Sequence, residues 1–408
     1  MDNYKANIEY IADFIASGET PEEEFKIGIE AEHFIVDKTS METIDHFDEA
    51  GTSFVLREMR EFYDEPVYTD GIFFGLRRKN ASISVEPAGQ LEISLDPLRD
   101  IDSVRSEYEK FLKEMDAVLS PHNMKIFAGG YHPVSKINDI KTISKKRYKY
   151  MSEYLSQRGS LALNMMKGTS SVQASIDYSD QNDFIKKFRL ANLLSCIIYF
   201  LTDNVTVFEG EPAGRLTRMN IWQNTDPDRC GIAQGALDRQ FGYREYAEYV
   251  YNRPPIIHME NGELVFSAGR KASEIYSEKK INREETEYLL SMFFPDVRAK
   301  TYLEIRSADS MNADCLSAYA SFIKGIFYGK SIDRLLGLFS SAGSAEEADA
   351  RMQLQLRWNK AQVYGRNIID LCTGLLDCAC EELNEEKNYI MPLYEMLERK
   401  SEQRTILQ

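Results

Sequence analysis

The sequence predicts a fold of mixed helix and strand, α/β or α+β in class, and three observations carry that expectation. Four separate segments alternate apolar and polar residues with the period of two that a strand imposes; they are Ile27–His33, Ser82–Leu95, Ser171–Asp177 and Tyr302–Arg306. Several longer segments place apolar residues three and four apart, the spacing of an amphipathic helix. The chain has 408 residues, 43% apolar and 28% charged, which is ordinary globular composition and long enough to bury a core. No internal repeat, low-complexity segment or linker interrupts it, so one unit over residues 1–408 is expected.

Taken in order, Asn7–Ser17 carries Ile8, Ile11, Phe14 and Ile15 at helical spacing and breaks at Gly18 and Pro21. A strand is expected from Phe25. Residues 50–80 show no single period. Ser82–Leu95 reads as two strands joined by Pro87-Ala88-Gly89, and Ile101–Leu119 as an amphipathic helix with Val104, Tyr108, Phe111, Leu112 and Met115 on one face. A basic stretch follows, with Lys136, Lys141, Lys145, Lys146, Arg147 and Lys149; such a run suits a solvated face, or else a lid over phosphates. Ser170–Tyr178 reads as a strand and Asp183–Phe200 as a buried helix. Residues 209–242, rich in Gly, Arg, Asp and Pro, read as a long functional loop. Thr301–Ser307 is a strand, and Ala345–Arg399 is mostly helical.

Charge and composition exclude several classes of function. Lys and Arg number 49 against 65 Asp and Glu, a formal net charge of −16, which argues against a nucleic-acid partner because phosphate backbones require clustered cations. The longest apolar run, Leu193–Leu201, is about half the roughly 20 residues of a membrane helix, so no membrane partner is expected. The N-terminus lacks the features of a signal peptide, and six cysteines in so long a chain form no disulfide framework. A reduced, cytoplasmic protein is expected.

The informative feature is what the alternation puts on the polar face. Glu30 and Glu32 share one face of the first strand, opposite Ile27, Ile29 and Ala31. Ser84 and Glu86 share a face in the next, and Glu92 and Ser94 in the one after. Gln173 and Ser175 share the polar face of the third segment, and Glu304 and Arg306 that of the last. A half-exposed sheet would explain bare alternation. Glutamate, however, is depleted in strands, and five carboxylates on neighbouring strands repel unless cations neutralise them. Five Glu, one Gln and one Arg on a sheet face suit a multi-metal nucleotide site, where Mg²⁺ shares oxygen ligands with phosphates and an arginine meets the charge on a transferring phosphoryl group.

Other motifs fail on their own terms. GIFYGKS at 325–331 has one residue too few between its glycines for a phosphate loop and follows a helical run, so it reads as a helix end. No GxGxxG follows a strand and there is no HExxH. His33 falls on the apolar side of its strand and reads as a packed histidine, as does His132 at a turn. Cys372, Cys378 and Cys380 read as buried thiols.

Five segments in this order resemble the plant-type glutamate–cysteine ligases, a family also found in many bacteria: IGIEAEHF (27–34), SISVEPAGQLEIS (82–94), MMKGTSSVQASIDYS (165–179), RMNIWQNTDPDRCG (218–231) and YLEIRSAD (302–309). The resemblance implies an α+β ligase core over about residues 25–330, with a C-terminal helical segment over about 345–408. That core would be a curved antiparallel β-sheet funnel with helices packed around it, like that of glutamine synthetases and guanido kinases. It implies ATP as co-substrate, two or three Mg²⁺ ions, and ligation of the γ-carboxylate of L-glutamate to the amine of L-cysteine through a γ-glutamyl phosphate. The product, γ-glutamylcysteine, is the first intermediate of glutathione biosynthesis. Carried over by motif, Glu30, Glu32, Glu86, Glu92, Gln173 and Glu304 would hold the metal ions. Arg306 and Glu304 would be catalytic, and Arg218, Trp222, Arg229 and Ser175 would contact substrate. A monomer or homodimer is expected.

The sequence also departs from the plant pattern. Ser175 stands where plant members usually have Asn, Gly168 where many have Arg beside Lys167, and Asn80 in place of a Lys. These positions bear on the acceptor. The alternatives are therefore a γ-glutamyl or other carboxylate–amine ligase with a different amine, or a non-catalytic nucleotide-binding regulatory protein.

Overall fold

The structure is a computed structural model that describes residues 3–69 and 71–402. Nine strands form its main sheet: β1 (Ile27–Asp37), β2 (Glu65–Thr69), β3 (Ile72–Arg78), β4 (Ala81–Val85), β5 (Leu91–Leu98), β6 (Met124–Phe127), β7 (Ser171–Ile176), β8 (Val297–Ala299) and β9 (Leu303–Asp309). The order is β8-β9-β7-β1-β5-β4-β3-β2, with β6 paired to the far half of β1. Every pairing is antiparallel. All four segments picked out by their alternation lie in this sheet, side by side as β9, β7, β1, β5 and β4.

Alternation sorts the side chains as expected. Ile27, Ile29 and Ala31 of β1, Ile93 of β5, Val172 and Ala174 of β7 and Ile305 of β9 are all buried. Helices cover that face: α2 (Ile101–Leu119) packs on β5, α5 (Gln181–Thr202) on β9 and α7 (Ala313–Tyr328) on β7. Between them in sequence lie α3 (Lys146–Leu155), α4 (Ala162–Gly168) and α6 (Thr217–Gln223); α1 is Asn3–Ala16. Side-chain caps start three of these helices. Asp100 accepts from the backbone N–H of Ser103 at 2.7 Å, Asp180 from Asp183 at 2.8 Å and Asn312 from Cys315 at 3.0 Å, satisfying donors that a helix start leaves unpaired. The end of the chain is helical as expected: α8 (Ser344–Arg357), α9 (Ile368–Glu382) and α10 (Met391–Glu402), with α9 and α10 packed on α7. GIFYGKS ends α7 at Tyr328 and is no phosphate loop. His33 is buried against Tyr108, and His132 lies between Thr43 and the carbonyl of Lys167.

Two segments differ from expectation. Residues 50–80, without a clear period, contain β2 and β3. β2 is an edge strand exposed almost throughout, so burial does not impose alternation on it. The stretch 209–242 is not one loop, because it forms α6 and part of a small hairpin. The second expected strand also runs further, to Leu98. Its register slips between Ile27 and Ile29 of β1, and this bulge accommodates Pro97, which has no N–H to give to a ladder.

Candidate active site

The strand register turns the alternation into rows of side chains. Glu32 lies opposite Glu92, and Glu92 opposite Ser84. The next row reads Gln173, Glu30, Ser94, Ser82, Arg77 across β7, β1, β5, β4 and β3. A third reads Arg298, Glu304, Ser175, Gly28 across β8, β9, β7 and β1. Glu32 and Glu92 of the first row and Gln173 and Glu30 of the second open into a cavity of about 360 Å³. Glu30, Glu32, Glu86, Glu92 and Gln173 line it from the sheet, and Arg298, Lys300 and Arg306 line it from the β8–β9 side. Arg218 and Trp222 reach it from α6, Lys145, Arg147 and Tyr148 from the start of α3, and Met165 and Met166 from α4.

The four cavity glutamates lie close enough to disturb one another. Burial, then repulsion from Glu86, pushes the Glu32 carboxyl up to about 7. Burial followed by Glu30, Glu86 and Glu32 pushes Glu92 well above the carboxylate range, and burial with Glu304 raises Glu30. Partial relief comes from donors. Glu32 accepts from the Ser171 backbone N–H at 2.7 Å and hydroxyl at 3.1 Å, and Glu92 from the Ser84 hydroxyl at 3.3 Å. Buried carboxylates that still repel are what a hard divalent cation neutralises. Among the described residues no three His, Cys, Asp or Glu side chains converge as a cage.

This gives a prediction for the metal-free protein. Carboxyls whose folded pKa is raised stabilise the fold while protonated, and that stability is lost as pH rises through the folded value. For Glu32 the window runs from its ordinary value of 4.5 to about 7. His33 and His132, both held down to about 4 by burial, act in the opposite sense below their ordinary 6.5, so the carboxyl effect is cleanest above that. Metal-free protein is therefore expected to melt at lower temperature at pH 8.0 than at pH 6.5, and Mg²⁺ to raise the melting temperature more at pH 8.0. Glu32→Gln should flatten the metal-free profile; an equal slope in that variant would remove Glu32 from the argument.

On the opposite wall, one buried carboxylate organises three cations. Glu304 is fully buried and accepts from Arg306 Nη1 at 2.6 Å, Arg298 Nη2 at 2.9 Å and Lys300 Nζ at 3.1 Å. Burial opposes its charge, but Arg298, Lys300 and Arg306 together hold its carboxyl well below the usual range. Three cations on one anion leave net positive charge facing the cavity. Arg306 also donates to the Gln173 side-chain oxygen, and the Gln173 amide lies 3.5 Å from Glu32, so glutamine links the cationic and acidic walls.

Most expected site residues are brought together here, and three are not. Glu304 does not line the cavity; both of its oxygens are taken by cations, so it supports Arg306 rather than offering itself as a ligand. Arg229 is fully buried away from the cavity. It pairs with Asp226 and the carbonyl of Pro254 and lies 4.7 Å from the Tyr154 ring, so it braces the 226–254 region. Ser175 sits one row beyond the cavity, between Glu304 and Gly28. Sequence reasoning missed Arg298 and Lys300, although Val297-Arg298-Ala299-Lys300 carries the same alternation in miniature. From the basic stretch, Lys145 and Arg147 line the cavity while Lys146 turns out to meet Glu263 at 3.4 Å.

Comparison with known proteins matches this layout to one family. The profile of glutamate–cysteine ligase family 2 matches residues 26–366, a span that includes every cavity residue named above. The chain belongs to that family. It is 31% identical over 328 residues to the chloroplastic glutamate–cysteine ligase of Brassica juncea, covering 78% of this chain and 63% of that one. With the Nicotiana tabacum enzyme it shares 31% over 351 residues, 84% of this chain and 66% of the relative. The chain thus spans slightly under two thirds of these two relatives. The crystal structure of a glutamate–cysteine ligase from Francisella tularensis in complex with AMP superposes with a TM-score of 0.51 at 13% identity, over 93% of this chain and 82% of that one, so the two share a fold.

Two departures from the plant pattern have structural reasons. A Cβ on Gly168 would sit 2.3 Å from the Tyr131 ring, so no side chain fits there, and Lys167 turns away to the carbonyl of Ile137. Gly168→Arg is expected to lower stability by about 3 kcal/mol through overpacking, read as a fall in melting temperature; an unchanged melting temperature would mean that Tyr131 moves aside freely. Asn80 occupies the β3–β4 turn with φ of 68°, a left-handed conformation that asparagine adopts more readily than lysine, and its amide binds Glu107 at 3.1 Å.

Proposed function

We propose that this protein is an ATP- and Mg²⁺-dependent ligase that joins the γ-carboxylate of L-glutamate to the amine of L-cysteine, giving γ-glutamylcysteine, the first step of glutathione biosynthesis. The observation that carries the proposal is a single cavity with four repelling carboxylates on one wall and Arg298, Lys300 and Arg306 on the other. A carboxylate is a poor electrophile, and phosphorylation turns its oxygen into a good leaving group. In the first step a γ-carboxylate oxygen of glutamate attacks the γ-phosphorus of ATP, the bond to the bridging oxygen breaks, and ADP leaves. In the second the amine of cysteine attacks the acyl carbon, the C–O bond to phosphate breaks, and the amine loses a proton as phosphate departs.

The chain's own residues serve these steps by position and charge. Arg306, with Lys300 and Arg298 beside it, meets the negative charge on the transferring phosphoryl group. Glu30, Glu32, Glu86 and Glu92 would hold the magnesium ions, and Gln173, whose oxygen is taken by Arg306, would keep that arginine beside them. When bound, Mg²⁺ neutralises phosphate charge and lets a carboxylate approach. Arg218 and Trp222 line the side of the cavity nearest Arg306, suited to an acidic amino acid, and Lys145 and Arg147 suit the outer phosphates. Water must be kept from the acyl phosphate, and the segments carrying α3 and α6 both line the cavity. We also infer that the sheet is the curved funnel of the glutamine synthetase and guanido kinase cores. The chain would act as one catalytic unit, monomeric or homodimeric, in the cytoplasm. No described helix is long and apolar enough to cross a membrane.

A different acceptor amine is the second reading, and Gly168 with Lys167 favours it, since neither presents a cation to the cavity where plant members carry Arg. The test is ADP release dependent on Mg²⁺ and glutamate, with and without cysteine, and product identification by mass spectrometry. Cysteine-dependent ADP with γ-glutamylcysteine supports the main reading. Glutamate-dependent ADP that ignores cysteine moves the assignment to another amine, and no turnover with any amine defeats the ligase reading.

A further inference from the structure

Arg218 is held from behind. It lines the cavity but is only 2% exposed. Its guanidinium donates to the backbone carbonyls of Arg306 at 2.8 Å and Ser307 at 3.1 Å. Its acidic partner is Asp309, 4.0 Å away at the end of β9. Asp309 is buried and accepts the backbone N–H of Asn204 at 3.2 Å. Gly130 leaves it room, because a Cβ there would lie 2.4 Å from its Oδ2. Next along, Asp203 accepts the backbone N–H of Leu216 at 3.1 Å, one residue before α6, the helix that carries Arg218 and Trp222.

The balancing charge comes from the far end of the chain. Lys400 on α10 is 6% exposed and donates to the Asp203 carbonyl at 2.6 Å. Its ammonium lies 5.2 Å from the Trp358 ring and 5.9 Å from that of Phe200, and its charge acts on both Asp203 and Asp309. Lys400 lies outside residues 26–366, the span matched by the family profile.

We propose that Lys400, acting through Asp203 and Asp309, is a positioning residue for Arg218 and α6, so that α10 is part of the substrate site. The neighbouring Asp203 and Asp309 carboxylates repel, and three cations offset them: Lys400 beside both, Arg218 beside Asp309 and Arg215 beside Asp203. Without Lys400, one carboxylate must take a proton or draw Arg218 off its two carbonyl acceptors. Either change redirects the guanidinium, since so buried a cluster is little screened by water. The proposal rests on the ligase reading only in taking Arg218 as a substrate contact.

The test uses the full chain with Lys400→Met, Asp203→Asn and the double variant, with two readouts: glutamate KM and kcat, and hydrogen exchange across residues 214–224. Lys400→Met is expected to raise KM for glutamate about tenfold with kcat within about twofold, as coupled residues of one network do, and to speed exchange across 214–224. The double variant, having lost one charge of each sign, should return KM to within about threefold of the parent. Lys400→Arg should behave as the parent. Parental KM and exchange in folded Lys400→Met, or losses that simply add in the double variant, would overturn the proposal. Should Lys400→Met not fold, Lys400→Gln carries the same expectation and the same refutation. If the parent shows no glutamate-dependent turnover, the ligase reading fails by itself, while the exchange of 214–224 still decides for or against Lys400.

Discussion

Arg306→Ala is expected to lower kcat for glutamate-dependent ADP release by about 10³-fold, the scale seen when a transition-state arginine is removed from a phosphoryl transfer. The fold should survive. Glu304 keeps Arg298 at 2.9 Å and Lys300 at 3.1 Å, so removing the third cation leaves no buried charge alone. Far-UV circular dichroism and the melting temperature check the fold, and steady-state kinetics the rate. Lysine at this position should recover little, because one ammonium cannot bridge Gln173 and Glu304 as the planar guanidinium does. Turnover near that of the parent in a folded Arg306→Ala protein would remove Arg306 from the chemistry.

Glu304→Gln is expected to act twice. An amide in place of the carboxylate leaves Arg298, Lys300 and Arg306 crowded without an anion, and losing one partner of a buried ionic cluster costs about 3–5 kcal/mol, measurable by urea denaturation. Arg306 then loses one of its two anchors, and a misplaced catalytic group costs on the order of 10²-fold in kcat. The two effects together identify a residue that works through its neighbour. A fall in kcat with undiminished stability would point instead to direct contact with metal or substrate, as the sequence motif alone implies.

How far the sequence could be read follows from what burial imposes. Ile29, Ala31, Val172, Ala174 and Ile305 must face the core, which leaves Glu30, Glu32, Gln173 and Arg306 no choice but the opposite face, so these were visible by alternation. β2 was not, because an exposed edge strand tolerates any pattern. Arg298 and Lys300 were missed because β8 is three residues long, too short for a period to register. Arg229 misled for another reason. A motif cannot say whether a buried arginine points at a cavity or at Asp226, three residues before it, although that spacing is itself a hint of local pairing. Glu304 shares the polar face with Arg306, and only the folded chain shows that Arg298 and Lys300 reach it first.

The row structure of the sheet has a consequence for how this protein can change over time. Core and chemistry occupy alternate positions of the same strands, so gaining or losing one residue within 27–33 would send Glu30 and Glu32 inward and Ile29 and Ala31 into the cavity. Folding and activity would fail in a single event. By this argument the central strands tolerate substitution but not insertion or deletion, and length can change without cost to register only in the connections between them. Turnover, in such a sheet, is a direct assay of register.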